Sequence, residues 1–253
     1  MGAGHAHPLH LDHDSRIHRL PAEVKIVATL LFTIVVVITP REKFVAFAGY
    51  LLLLVGVLVL AKVPPLWLAK RATIELPFVL LAIALPFAGH GERTEWLGMS
   101  LSIDGLHGAW NIFAKGTLGV LASLLLAATT TTRDLILGLD RLRCPQVFTQ
   151  IATFMLRYLD ILFDDARRMR VARLSRGYDP RFLWQVKAFA VGVGALFIRS
   201  YERGERVYLA MVSRGYSGRL PRPDGPGATT ADWARSATLP VAAGIIALAA
   251  VLA

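Results

Sequence analysis

The sequence predicts an all-α integral membrane protein with about five transmembrane helices and a set of long amphipathic cytoplasmic helices. Of its 253 residues, 55% are hydrophobic, and the mean hydropathy of +0.51 is high for an ordinary soluble domain. The chain nevertheless has a formal net charge of +10 and a pI near 10.2. The apolar and the basic residues are concentrated in different parts of the chain, which is typical of a membrane protein with a large region outside the bilayer.

Long apolar runs place the transmembrane segments. The run 44–61 contains no charged residue over 18 positions, which is long enough to cross a hydrocarbon core about 30 Å thick. The same reasoning predicts five spans, at 24–39, 44–61, 73–89, 106–129 and 237–253. Glu75 and Lys115 lie within these spans but near their ends, so neither is assigned to a transport path.

The distribution of Lys and Arg predicts the orientation. Of the 28 such residues, 17 lie between 133 and 222, and an excess of this kind marks the cytoplasmic side. We therefore expect a multi-pass protein of the bacterial inner membrane with its N-terminus in the cytoplasm. The predicted organisation is a His-rich cytoplasmic tail (1–23), a four-helix membrane region (24–129), cytoplasmic helices (130–235) and a C-terminal transmembrane helix (236–253).

The cytoplasmic region is predicted to contain two long helices. Over 155–177, apolar residues recur at helical spacing and arginines lie elsewhere on the wheel, which indicates an amphipathic helix. The stretch 147–163, which overlaps the start of this helix, resembles another transmembrane span, but Arg157 and Asp160 would then lie in mid-membrane. A helix half-buried at the membrane surface is the open alternative. A second helix is predicted from about 186 to 214.

Each of these helices ends in the same short motif. The stretches LSRGYDPR (174–181) and VSRGYSGR (212–219) repeat Ser-Arg-Gly-Tyr 38 residues apart. Glycine followed by proline is a helix-stop signal, so Arg176 and Arg214 are expected in the last turn of their helices. The helix dipole alone would favour an arginine there. Two matching tips, however, predict that a guanidinium is presented to each of two equivalent pockets of a partner.

These segments resemble the transmembrane T component of energy-coupling factor importers, in particular the cobalt and nickel branch named CbiQ. The resemblance rests on SRIHRLPAEVKI (15–26), RYLDILFDDARRMRVARLSRG (157–177) and AMVSRGYSGR (210–219), and it covers most of the chain from about residue 12. The family motif is often Ala-Arg-Gly. This chain has serine in place of that alanine, giving the two triplets Ser175-Arg176-Gly177 and Ser213-Arg214-Gly215.

The resemblance implies a non-catalytic subunit that passes movement from ATPases to a substrate-binding subunit. Its partners would be a dimer of ATP-binding-cassette ATPases, docked through the six residues of the triplets, and a CbiM-like substrate-binding membrane subunit, with a small CbiN-like subunit as a further candidate. The substrate would be cobalt or nickel ions, or a vitamin in related branches. No G-x-x-x-x-G-K-[ST] loop occurs in the sequence, so the chain is expected to hold no cofactor and ATP would be bound by the partner ATPase.

Three other features favour different functions more weakly. Five histidines in the first 18 residues suit cobalt or nickel, but their spacing fixes no coordination geometry. Asp164-Asp165 beside a membrane is compatible with a Mg²⁺-dependent transferase, which usually needs a second acidic pair. The basic helices predict contact with membrane lipids. Nucleic acid is not an expected partner, because the aromatic residues form no stacking platform.

Overall fold

The chain folds into two compact units. In the computed structural model the described residues are 10–11, 13–88, 93–96, 99–177, 186–218 and 227–252. The first unit, here named the membrane unit, comprises 9–142 and 226–253. The second, here named the two-helix unit, comprises 1–8 and 143–225. The short helix over 132–141 packs within the first unit. The predicted boundary at residue 130 concerns position relative to the bilayer and stays a prediction.

The membrane unit consists of helices and one small hairpin. Its helices are α1 (Ala22–Ile38), α2 (Phe44–Ala61), α3 (Pro65–Arg71), α4 (Leu76–Ala88), α5 (Ile103–Thr129), α6 (Thr132–Arg141) and α9 (Thr230–Leu252), with a 3-10 turn at Ala72–Glu75. Strands β1 (Arg93–Trp96) and β2 (Met99–Ser102) pair antiparallel within a predicted loop. The all-α class is confirmed, and this two-stranded hairpin is an addition to it.

Three of the five predicted spans are confirmed as helices that could cross a membrane. By length and composition, α2, α5 and α9 meet that requirement among the described residues. Helix α1 is 17 residues long and α4 is 13, preceded by the 3-10 turn. The spans predicted at 24–39 and 73–89 therefore stay predictions.

Apolar side chains from α1, α2, α5 and α9 form the core of the membrane unit. Phe32 and Tyr50 are completely buried, and their rings meet edge to face. The Tyr50 hydroxyl is satisfied by Thr39 Oγ1 at 2.8 Å, as a buried polar group requires. Helices α4 and α5 approach so closely that a Cβ on Gly105 would lie 2.6 Å from the carbonyl oxygen of Leu85. Only glycine fits there.

The two-helix unit contains α7 (Gln146–Ser175) and α8 (Val186–Val212). Helix α7 is continuous from residue 146, so the span-like stretch 147–163 is the first half of a 30-residue helix. Contacts between the helices run in antiparallel order: Gln150 meets Tyr216, Asp165 meets Arg203, and Arg173 lies near Gly192. The second helix predicted from 186 to about 214 is confirmed to within two residues.

Candidate functional site

The first Ser-Arg-Gly triplet forms the C-terminal end of α7. The N–H of Arg176 donates to the carbonyl oxygen of Arg173 at 3.1 Å, and the N–H of Gly177 donates to that of Leu174 at 2.9 Å. Gly177 has φ +73°, a left-handed conformation that favours glycine. The Ser175 hydroxyl donates to the carbonyl of Val171 at 3.0 Å, which closes the last turn.

The second triplet ends α8 in the same way. Gly215 has φ +86°, and its N–H donates to the carbonyl of Val212 at 3.0 Å. The N–H of the next residue, Tyr216, reaches back to the carbonyl of Met211 at 3.0 Å, a bond that belongs to the Schellman motif. The Ser213 hydroxyl donates to the carbonyl of Ala210 at 3.0 Å. The repeated sequence therefore gives a repeated local structure.

Both tips are exposed to solvent and offer their arginines outward. All six triplet residues are exposed, and a Cβ on Gly177 or Gly215 would meet no atom within 4 Å. Packing within the chain therefore does not require glycine at these two positions, whereas the left-handed backbone favours it. Neither Arg176 nor Arg214 has an acidic partner among the described residues. Their guanidinium groups keep their donors available for an external acceptor.

The antiparallel contacts place the two tips at opposite ends of α7. Tyr216, two residues beyond Arg214, donates its hydroxyl proton to Gln150 Oε1 at 3.0 Å. Gln150 lies near the start of α7 and Arg176 lies just past its end. At 1.5 Å per helical residue, the tips are about 39 Å apart. This arrangement can contact two separate sites on a partner assembly.

An ion pair connects the middles of α7 and α8. Arg203 Nη2 lies 2.9 Å from Asp165 Oδ2, and both side chains are largely buried. Asp165 therefore bonds to the neighbouring helix, and no residue of its own helix pairs with it in the part of the chain that the structure describes. A carboxylate engaged in this way is poorly placed for the metal chemistry of a transferase.

A charged cluster at the start of α1 was missed by the sequence reasoning. Glu23 is buried and accepts a hydrogen bond from the backbone N–H of Ala228 at 2.9 Å, and Arg141 Nη1 lies 3.4 Å from the same carboxylate. Lys25 is also buried and donates to the carbonyl oxygen of Thr129 at 2.8 Å. This cluster joins the start of α1 to α5, α6 and the segment before α9.

Glu75 and Lys115, which lie inside predicted spans, each have a hydrogen-bond partner on another part of the membrane unit. Glu75 is buried and accepts a hydrogen bond from the Thr117 hydroxyl at 2.8 Å. Lys115 donates to the carbonyl oxygen of Val37 at 2.7 Å, near the end of α1, where a cation is favoured. These contacts account for both residues by packing between helices.

The described histidines do not form a metal site. His5 and His7 lie outside the described residues, and no group of three or more His, Cys, Asp or Glu residues in the described part of the chain could hold a metal ion. His18 Nδ1 is 2.7 Å from the Ser15 hydroxyl, and burial lowers the pKa of its imidazole.

Comparison with known proteins gives the family. The model of the CbiQ family, cobalt transport protein, matches residues 13–224. The chain is 29% identical to an energy-coupling factor transporter transmembrane protein EcfT of Bacillus selenitireducens, over 81% of each chain. It is 29% identical to the EcfT of Thermanaerovibrio acidaminovorans, over 83% of this chain and 82% of the relative.

A further relative is longer than this chain. The chain is 25% identical to a putative fused cobalt transport protein CbiMQ of Methanocorpusculum labreanum, over 85% of this chain but only 37% of the relative. With apolar helices long enough to cross a bilayer and a family match over most of its length, the protein is a membrane component of a transport system and not an enzyme. The chain belongs to the CbiQ family of cobalt transport proteins.

Proposed function

We propose that this chain is the transmembrane T component of an energy-coupling factor importer, and that Arg176 and Arg214 dock it onto a dimer of ATP-binding-cassette ATPases. The observation that supports this most directly is the pair of matching tips. Each is a helix end with a left-handed glycine and an exposed arginine that has no acidic partner in the described structure. The names of the EcfT relatives support the same assignment.

The chemistry of the tips suits a polar groove on each ATPase. A guanidinium presents five donors in a fixed plane and pairs with a carboxylate through two parallel hydrogen bonds. The serine hydroxyls are turned back onto their helices, so each tip offers the arginine as its main polar group. Loss of one partner from a buried interfacial charge pair typically costs about 2–5 kcal/mol.

The separation of the tips supports a mechanical role. Two grooves on an ATPase dimer, about 39 Å apart, would each receive one tip. Closure of the ATPase dimer on ATP would then move the tips relative to each other and change the packing of α7 against α8. The helices meet through Arg203 and Asp165, and large apolar side chains such as Phe163 and Phe197 are exposed on them. Those side chains would carry the movement to a substrate-binding membrane subunit.

The substrate is proposed to be the cobalt ion, with nickel and a vitamin as alternatives. The family description and the CbiMQ relative favour cobalt and a CbiM-like partner. ATP would be bound by the partner ATPase, and this chain would hold no cofactor. The excess of Lys and Arg over 133–222 favours a cytoplasmic location for α7 and α8 and for the N-terminus.

Uptake of radioactive cobalt by cells that express the whole transporter tests the proposal. Arg176→Glu and Arg214→Glu are each expected to abolish uptake or reduce it sharply, while the amount of inserted chain stays normal. Arg170→Glu and Arg199→Glu make the same charge change on exposed residues of the same helices and are the matched controls. Normal uptake in both tip variants, or equal loss in the controls, would contradict the proposal.

A further inference from the structure

A cavity in the membrane unit is built from two chemically different parts. Its volume is about 610 Å³, within the range of cavities that bind small ligands. One part of its wall is apolar and is formed by residues of α1, α2, α5 and α9, namely Ala28, Leu54, Val57, Leu125 and Leu239. The other part carries the cationic side chains of Arg16, Arg19, Lys25 and Arg235.

The charge of this wall favours an anion. Among the described lining residues the acidic one is Asp232. It accepts hydrogen bonds from the N–H and hydroxyl of Thr229 at 3.1 and 2.7 Å, and its carboxylate lies 3.7 Å from Arg235 Nη1. Arg19 pairs with Asp14, which lies outside the cavity wall. Arg16 is exposed and has no acidic partner among the described residues. A positive charge therefore remains even when both acidic groups are counted.

The cavity lies at one end of the helices. Its lining residues come from the segment 16–20 before α1, from the first two or three turns of α1 and α9, and from the last two turns of α2 and α5. Leu54 is seven residues before the end of α2, so the apolar wall extends about 10 Å along that helix. That depth is about a third of the hydrocarbon core of a bilayer. The cationic side chains would lie at the membrane surface and the apolar wall deeper in the bilayer. This arrangement suits a ligand with a charged head group and an apolar tail.

From this arrangement we infer that the cavity binds one anionic phospholipid, with its phosphate at Arg16 and Arg235 and the upper part of an acyl chain against Leu54 and Val57. Phosphate oxygens accept paired hydrogen bonds from guanidinium groups. Anionic lipids are abundant in the cytoplasmic leaflet, to which the orientation rule assigns this end of the helices. The bound lipid would fill the space between four helix ends and hold α9 against α1.

Binding of defined lipids to the purified, delipidated full chain tests this inference. Native mass spectrometry would follow titration with dioleoyl phosphatidylglycerol, dioleoyl phosphatidylcholine of the same chain length, and glycerol 3-phosphate without acyl chains. We expect one phosphatidylglycerol per chain with saturable binding, and weaker binding of the other two probes. Each arginine removed should weaken phosphatidylglycerol binding about five-fold. The double variant Arg16→Gln, Arg235→Gln should therefore weaken it about 25-fold.

Two further variants separate this site from general attraction to lipid. The double variant Arg41→Gln, Arg133→Gln removes two exposed arginines of the membrane unit that do not line the cavity, and it should bind as the wild type does. Thr29→Phe places a large side chain in the cavity and should weaken the binding of both lipids. The inference would be overturned by equal loss of binding in the two double variants or by equal binding of the two lipids. It would also be overturned if glycerol 3-phosphate competed with the affinity of the lipid, or if phosphatidylglycerol showed no saturable binding.

Discussion

The glycine at the second tip gives a prediction that separates backbone conformation from side-chain size. Gly215 has φ +86°, and a Cβ there would meet open space. An L-residue other than asparagine or aspartate is disfavoured in this region by about 1–2 kcal/mol, whereas asparagine tolerates it. Gly215→Leu should therefore strain or undo the tip, while Gly215→Asn, of similar size, should keep it. The difference corresponds to a factor of about 5 to 30 in binding.

The assay is titration of the partner ATPase against the chain in lipid nanodiscs. Gly215→Leu should bind about 5 to 30 times more weakly than Gly215→Asn. Gly204 lies within α8 with helical backbone and open space around it, so Gly204→Ala is a matched control with no expected loss of binding. If leucine and asparagine at residue 215 weaken binding equally, the partner groove excludes bulk and the conformational explanation is refuted.

The remaining predictions concern contacts within each unit. In a double-mutant cycle, Asp165→Ala and Arg203→Ala should show a coupling energy of about 1 kcal/mol in thermal unfolding, and additive effects would contradict their pairing. Glu23→Ala removes charged hydrogen bonds worth about 1.5–3 kcal/mol and should lower the melting temperature by about 5–10 °C, with Glu42→Ala as an exposed control. Burial lowers the pKa of His18, so the unfolded state takes up its proton first and stability should fall as pH drops below about 6.5. The fall should be smaller in His18→Gln, and an identical pH profile in both proteins would count against a half-buried His18 that is neutral in the folded state.

The features that the sequence predicted well depend on local patterns. Apolar runs and helical periodicity predicted α2, α5, α7, α8 and α9. The hydrophobic pattern of each of these helices lies within its own sequence and does not depend on which helices pack beside it. The Ser-Arg-Gly repeat gave both helix ends, because a left-handed glycine cap is a local feature as well.

The features that the sequence did not reveal depend on contacts between distant residues. Glu23 bonds to Ala228, 205 positions away, and to Arg141, 118 positions away. A single acidic residue beside a predicted span carries no sign of such partners. The same limit applies to Asp165, whose partner is Arg203 on the next helix. The assignment of α6 to the membrane unit also depends on tertiary contact, namely the approach of Gly138 to Ala22.

The central claim is that the two arginine tips dock ATPase subunits, and copurification tests it most directly. The chain would be isolated gently from native membranes, as the wild type and as the double variant Arg176→Glu, Arg214→Glu, and the accompanying proteins identified by mass spectrometry. We predict that an ATP-binding-cassette ATPase accompanies the wild type and is lost from the variant, while a membrane subunit stays bound to both. An ATPase retained by the variant, or absent from the wild type, would contradict the claim and leave the tips as helix caps.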